Sequence, residues 1–162
     1  MTTARCELLA EGTVEIDRSC DEAFAYVSNL ENFPAWFPGV ASMRALDASE
    51  HGRVGKRYRE TVHLPFGRTT TIDIEVKEAR PGARLLTEGD GLLLPCMSVQ
   101  FAAVSEERTR IAWRMVSRNQ KWWFRWLAAP LLRVVMGGRA RRGLRRLRHN
   151  LEGEPRWLEL RG

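Results

Sequence analysis

The chain has 162 residues, of which 44% are hydrophobic and 28% charged, a composition typical of a folded globular protein rather than a disordered one. The length predicts one domain over residues 1–162, with its core at about residues 7–152. No stretch reaches the roughly 18 uninterrupted apolar residues of a membrane span, because Arg125 and Arg133 interrupt the most apolar one, residues 122–136.

Positive charge is concentrated near the C-terminus. The net charge is +6, but residues 1–120 hold 15 Lys and Arg against 17 Asp and Glu, whereas residues 121–162 hold 11 against 3. Such an asymmetry indicates an acidic partner or an anionic surface. A nucleic-acid partner is disfavoured, because no nucleic-acid-reading motif accompanies the charge.

The first predicted element is a half-buried antiparallel strand over residues 7–17, where apolar and acidic side chains alternate. Ser19 and Glu22 then have the spacing of a capping box and predict the start of a short helix. A second helical turn is predicted within residues 31–40 (ENFPAWFPGV), which contain two prolines and three aromatic side chains.

Six further strands are predicted in the middle of the chain, at residues 40–47, 54–64, 68–79, 83–90, 96–105 and 110–118. Short turns join them, so neighbouring strands are expected to pair antiparallel. One face of each strand is apolar and the other charged, and a long terminal helix is the only long cover available. The predicted fold class is therefore α+β: a curved seven-stranded antiparallel sheet wrapped around a long C-terminal helix, with two short helices after strand 1.

Pro130 leaves the start of the terminal helix open. It either kinks that helix or marks its true beginning, with residues 121–129 as a separate aromatic segment. Residues 154–162 are predicted to be peripheral.

The arginine-rich part of the terminal helix is amphipathic. At about 100° per residue, an apolar stripe is formed by positions 137, 140, 144, 147 and 151. Arg139, Arg142, Arg145, Arg146 and His149 fall on the opposite side. The leucines predict packing on the sheet. The arginine face is either a solvated surface or a surface for an anionic membrane, in which case Arg142, Arg145 and Arg146 are the predicted anion-binding residues.

Three stretches of the chain resemble the START-related SRPBCC superfamily, the helix-grip proteins, in their polyketide cyclase/dehydrase-like branch. They are EGTVEIDRSCDEAFAYVSNLENFPAWFPGV (11–40), VGKRYRETV with IEVKEARPGARLL (54–62 and 74–86) and LRRLRHNLEG (144–153). The resemblance covers about residues 8–152. It implies a cavity between sheet and terminal helix, in which family members bind lipids, sterols, polyketides, quinones or other apolar ligands; a few are cyclases, aromatases or other enzymes.

The residues expected to bind a ligand in that cavity are apolar side chains of the inward strand faces, the FPAWFP turn and the terminal helix. They are Phe33, Trp36, Phe37, Val62, Ile72, Ile74, Met97, Val99, Phe101, Trp113, Met115, Leu131 and Val135.

Glu60 is the exception on an apolar face. It shares that face with Tyr58, and a carboxylate there is costly unless it is paired or protonated. Two interpretations stay open. Glu60 is a general base or ligand-orienting group, with Tyr58 as hydrogen-bond donor and Ser117 as a further candidate, or it pairs with Arg44 or Arg114 at the sheet.

Three functions follow from this pattern. The favoured one is a cytoplasmic binding protein for a hydrophobic small molecule or lipid. The alternatives are a polyketide cyclase/aromatase-type enzyme that uses Glu60 and Tyr58, and a peripheral membrane module that handles a lipid or quinone. Motifs for a metal, phosphate or nucleotide are absent from the sequence, so no metal or cofactor is predicted. The oligomeric state stays open between monomer and homodimer.

Overall fold

The computed structural model describes residues 5–153, so the tail predicted to be peripheral, residues 154–162, lies outside the described residues. Seven strands form one antiparallel sheet in the order β1-β7-β6-β5-β4-β3-β2. They are β1 Glu7–Ile16, β2 Val40–Ala45, β3 Arg57–His63, β4 Thr69–Arg80, β5 Arg84–Gly89, β6 Pro95–Ser105 and β7 Arg108–Ser117. The first strand pairs with the last, and every other pair is made by strands that are consecutive in the chain.

The helices lie on the concave face and at the ends of the sheet. They are α1 Cys20–Ser28, a 3-10 turn at Leu30–Asn32, α2 Phe33–Trp36, a 3-10 turn at Pro65–Gly67, a π-helix at Phe124–Ala128 and α3 Ala129–Gly153. The predicted α+β helix-grip architecture is confirmed.

The N-terminal capping box is present. The Ser19 hydroxyl accepts a hydrogen bond from the Glu22 amide at 3.2 Å, and the Ser19 amide donates to the Glu22 carboxylate at 3.1 Å. Two otherwise unpaired amides are satisfied at once, which is why α1 begins at this point.

Strand β1 does not alternate regularly. A bulge lies between Leu8 and Ala10, where the register with β7 shifts by one residue. Leu9 is therefore buried and Leu8 is only partly buried, whereas simple alternation predicted the reverse.

Helix α3 packs on the sheet through the predicted stripe. Ala140, Leu144, Leu147 and Leu151 are all buried. Pro130 is the second residue of α3, and the aromatic segment before it runs into α3 through the π-helical turn. The helical backbone is thus continuous from residue 122 to residue 153, so Pro130 does not mark a separate beginning, and the irregularity beside it is the π-helical stretch Phe124–Ala128.

One carboxylate fixes the start of this helical region to the sheet. Glu7 in β1 accepts from the Arg125 guanidinium through one oxygen, at 2.5 Å, and from the Arg133 guanidinium through the other, at 2.7 Å. The π-helix, through Arg125, and the first turns of α3, through Arg133, are thereby both held against β1.

Candidate functional site

A cavity of about 160 Å³ lies between the concave face of the sheet, α2 and the first half of α3. Its lining residues come from nearly every element around it: Leu30, Phe33, Phe37, Gly39, Val40, Met43, Glu60, Val62, His63, Leu64, Ile72, Ile74, Thr87, Leu93, Pro95, Met97, Met115, Leu132, Met136 and Arg139. His63 and Leu64 are exposed, so the cavity opens where β3 ends.

Seven of the thirteen residues predicted to bind a ligand line this cavity. Those that line it are Phe33, Phe37, Val62, Ile72, Ile74, Met97 and Met115. The strand residues among them alternate with outward-facing polar residues on β4, β6 and β7, and the two phenylalanines come from α2 and the residue that follows it. Phe33 and Phe37 stack with ring centroids 4.9 Å apart and form one wall.

A second set of predicted binding residues is buried in a part of the core that is filled. Trp36, Val99, Phe101 and Trp113 are almost fully buried and do not line the cavity. Trp113 lies 5.3 Å from the Phe37 ring, and Phe101 packs edge-on at 5.5 Å against Phe24 of α1. Strand parity indicated the correct face of the sheet, but α1 and the aromatic cluster occupy the space above it.

Leu131 and Val135 were predicted to line the cavity and do not. They are 68% and 42% exposed. At 100° per residue, Leu131 lies on the opposite side of α3 from Met136, and Val135 lies about a quarter turn away from it. The α3 residues that face the cavity are instead Leu132, Met136 and Arg139.

Tyr58 is fully buried but lies outside the cavity, so its predicted role as a donor beside Glu60 is wrong in position. Its hydroxyl lies 2.7 Å from Nδ1 of His51, and the two rings stack. Burial raises the pKa of Tyr58 to about 12, so the phenol stays protonated. Tyr58 lies on the same strand face as Glu60, but it is enclosed in the core and is not part of the cavity wall.

Ser117 is likewise buried away from the cavity. Its hydroxyl donates to the Leu93 carbonyl and accepts from the Asn119 amide at 3.1 Å. The Asn119 side chain donates to the Leu92 carbonyl at 2.7 Å. Ser117 therefore holds the β5–β6 loop, whose Leu93 forms part of the cavity wall.

Glu60 projects into the cavity and is only 7% exposed. Among residues 5–153, no side chain forms an ion pair or hydrogen bond with its carboxyl group. Arg44 and Arg114, its predicted partners, are both exposed. Arg44 lies opposite Arg59 in the β2–β3 register, and the Arg114 guanidinium lies 3.8 Å from the Glu11 carboxylate. Burial raises the pKa of Glu60 to about 7. The paired interpretation is therefore wrong for these two arginines.

Arg139 lines the cavity, although the helical projection placed it on the outer side. Its guanidinium lies directly against Gly39, where a Cβ atom would come within 2.5 Å of the Arg139 Cζ atom. Gly39 also has a φ of +89°, which favours glycine. The glycine directly after FPAWFP was the available signal for such a close approach, but the sequence does not show which side chain makes it.

Two loops at the mouth of the cavity hold non-glycine residues with positive φ. Phe66, between β3 and β4, has a φ of 64° and a fully exposed side chain, and Leu94, between β5 and β6, has a φ of 44°. Their neighbours Leu64 and Leu93 line the cavity. Bulky residues adopt this conformation only at a cost, and such residues cluster at binding sites.

Residues 8–152 match the family described as "Polyketide cyclase / dehydrase and lipid transport". The chain belongs to this family. The match covers the whole sheet from its second residue and all but the last residue of α3, and it confirms the resemblance to the START-related SRPBCC superfamily. A search of curated proteins finds no match.

Solved structures with the same fold include a START superfamily protein from Mycobacterium smegmatis, which is 17% identical, with a TM-score of 0.71 over 90% of this chain and 98% of that one. A protein from Thermus thermophilus is 16% identical, with a TM-score of 0.71 over 89% and 97% of the two chains. The di-domain ARO/CYC protein StfQ of the steffimycin biosynthetic pathway is 16% identical, with a TM-score of 0.69 over 91% of this chain and 51% of StfQ. The chain thus spans about half the length of StfQ, and at these identities the likeness concerns the fold.

The buried Glu60 carboxyl predicts an unusual pH dependence of stability. Its pKa is raised from 4.5 to about 7 on folding, so the folded state binds the proton more tightly than the unfolded state. Stability therefore falls as pH rises from about 4.5 through 7, by about 3 kcal/mol in total. In Glu60→Gln this loss is absent, as urea unfolding at a series of pH values will measure. The exposed Glu106→Gln serves as the matched control and keeps the wild-type profile; a parallel pH profile for wild type and Glu60→Gln would contradict the assignment.

Proposed function

We propose that the protein binds a hydrophobic small molecule or lipid in the cavity between the sheet and α3. The observation that carries this proposal is the cavity wall, in which fifteen of the twenty lining residues are Phe, Leu, Ile, Val, Met or Pro. Its polar side chains are Glu60, His63, Thr87 and Arg139. Apolar walls with a few placed polar groups are typical of small-molecule sites.

The size of the cavity limits what lies fully inside it. Its volume of about 160 Å³ is close to that of an engineered cavity of about 150 Å³ that holds benzene. One ring or a short alkyl chain therefore fits inside, and a larger ligand extends through the mouth beside His63 and Leu64. The family description, which names both polyketide cyclases and lipid transport, supports an apolar ligand of this kind.

Filling the cavity tests this function directly. Ile72→Phe adds volume to the wall and is expected to weaken binding of the neutral fluorophore N-phenyl-1-naphthylamine about tenfold or more, a change of about 1.4 kcal/mol. Val134→Phe adds the same kind of ring on the exposed side of α3 and is expected to leave affinity unchanged. Fluorescence titration measures both, with thermal unfolding as the check on folding. Equal affinities for the two variants and wild type would contradict binding in this cavity.

A second candidate function, acid–base catalysis in the same cavity, is favoured by Glu60. Its carboxyl group is buried, faces the cavity and has a pKa of about 7, so it can both accept and donate a proton at neutral pH. The chemistry that suits a single such group is removal of a proton next to a ligand carbonyl, the step that begins a cyclisation. The ARO/CYC proteins among the structural neighbours support this class.

Deuterium exchange of a one-ring ketone tests the catalytic candidate separately from binding. The methyl protons of acetophenone exchange slowly in D₂O, and the wild-type protein is expected to accelerate this exchange, as NMR will measure. General-base catalysis contributes about a hundredfold or more, so Glu60→Gln should lose at least that acceleration while still binding N-phenyl-1-naphthylamine. Glu106→Gln, the same substitution at an exposed site, serves as the control and should keep the full acceleration. Equal exchange with and without wild-type protein would reject Glu60 as a base and leave the binding function standing.

The outer surface of α3 supports a third proposal, docking on an anionic membrane. Trp126, Leu127, Leu131 and Val134 are all exposed, on the π-helix and the first half of α3. Exposed tryptophan and aliphatic side chains on one helical surface are typical of helices that lie in a membrane interface. None of the described helices is long and apolar enough to cross a membrane.

The second half of the same surface is cationic. At 100° per residue Leu131 and Val134 share one side of α3 with Arg141, Arg142 and Arg145. These arginines and Arg146 are exposed, and within residues 5–153 they have no ion-pair partner. A helix surface that is apolar at one end and cationic at the other matches acyl chains and anionic headgroups, which is the charge complementarity that favours a membrane over a second copy of this chain.

Vesicle co-sedimentation tests the membrane proposal. The protein is expected to bind vesicles of equal parts phosphatidylcholine and phosphatidylglycerol, not phosphatidylcholine alone, and to lose binding in high salt. Replacing Arg142, Arg145 and Arg146 with Gln should weaken binding about a hundredfold, because each arginine contributes roughly 1 kcal/mol near an anionic surface. A matched triple variant, with Gln at the exposed Arg44, Arg53 and Arg57, should bind normally. Dimer formation through this surface without vesicle binding, seen by light scattering, would reject the membrane as occupant.

A further inference from the structure

Arg139 is a cation that faces the cavity without a partner. Within the described chain no carboxylate, carbonyl or hydroxyl group accepts a hydrogen bond from its guanidinium. Arg125 and Arg133 both bind Glu7, and Arg148 binds Glu152. The other arginines of α3 that form no ion pair within the described residues are exposed to solvent: Arg141, Arg142, Arg145 and Arg146. Arg139 is nevertheless partly buried, so it has lost part of its hydration without gaining an ion pair.

The backbone holds this guanidinium at the mouth. It packs on Gly39, whose carbonyl accepts a hydrogen bond from the amide of the exposed His63 at 3.0 Å. Because residue 39 has no side chain, the planar guanidinium lies flat on the chain at the rim of the cavity. Its position is therefore fixed by packing, and its donors stay available for a ligand.

We propose that the ligand is an amphiphile with a carboxylate, which Arg139 binds at the mouth while the apolar part of the ligand fills the interior. The inference rests on the proposed binding function and adds the chemical class of the ligand. One guanidinium balances one carboxylate in charge and matches it in its planar, two-pronged geometry.

Glu60 determines which end of the ligand enters. Among the described residues it is the only acidic side chain on the cavity wall, and it lies too far from Arg139 for an ion pair. A ligand carboxylate placed deep in the cavity would meet a second carboxyl group in an apolar environment, which is unfavourable. The apolar end therefore enters first, and the anionic end stays at Arg139.

The same arrangement makes carboxylate binding depend on pH. The titratable or charged groups that line the cavity with Glu60 are Arg139, from α3, and His63, from the end of β3. As pH rises through about 7, Glu60 loses its proton and repels a bound carboxylate. Affinity for a carboxylate ligand should therefore fall relative to affinity for its neutral analogue.

Two probes that differ in one group test the proposal. 4-Butylbenzoate and 4-butylbenzyl alcohol share a ring and chain, but only the first carries a carboxylate. By calorimetry at pH 6, wild-type protein is expected to bind the benzoate about tenfold more tightly than the alcohol. Arg139→Gln should abolish this preference with the alcohol affinity unchanged, and Arg139→Lys, which keeps the charge, should retain part of it. Arg44→Gln, at an exposed site on β2, should keep the full preference.

A pH series separates the contributions of the two charged groups. The benzoate-to-alcohol ratio should fall severalfold between pH 6 and pH 8 in wild type and in His63→Gln, but not in Glu60→Gln. Equal binding of the two probes, or a preference that survives in Arg139→Gln, would overturn the carboxylate inference and leave the proposed function intact. Binding of neither probe, together with no binding of N-phenyl-1-naphthylamine, would overturn both.

Discussion

The architecture depends on how closely α3 can approach the sheet. Gly12 in β1 lies under Leu144, and a Cβ atom at residue 12 would come within 2.7 Å of the leucine Cδ1 atom. Gly143, the residue before Leu144, lies against Phe37, and a Cβ atom there would come within 3.1 Å of the phenylalanine Cδ2 atom. Small residues at both contacts let the second half of α3 sink onto the strands and the α2 aromatic cluster. That contact determines the height of the first half of α3, which roofs the cavity.

The inner face of β3 borders both the filled core and the cavity. Tyr58 and Glu60 lie on the same face of the strand, about 7 Å apart along it. Tyr58 is enclosed and bonded to His51, whereas Glu60 meets open space. Close packing therefore encloses Tyr58 and ends before Glu60, two residues further along the strand. An unpaired buried acid opposes folding, so its presence at the one open end of this face supports a role in handling a ligand.

Sequence patterns predicted the features that follow from local periodicity. They gave the seven strands, the capping box, the leucine stripe of α3 and the inward direction of Glu60, Ile72 and Met97. The sequence patterns failed to place side chains whose surroundings depend on contacts between residues far apart in the chain. The bulge in β1 interrupts the alternation, and α1 fills the space above Phe101. Gly39 leaves room for the Arg139 guanidinium to pack at the cavity. Parity and helical phase give the face of a side chain, but only the packed fold shows whether the space before it is filled or empty.

The enclosure of Glu60 also connects ligand loading to its surroundings. An apolar ligand that fills the cavity would bury Glu60 further and disfavour its ionised form, so ligand binding near neutral pH should take up a proton. Protons accumulate beside anionic bilayers, where a surface potential near −30 mV lowers the local pH by about half a unit. If α3 docks on such a surface, the protein binds its ligand most tightly at the bilayer and more weakly in bulk solution. The protonation of Glu60 would then make the affinity for the ligand depend on whether the protein is at the bilayer or in bulk solution.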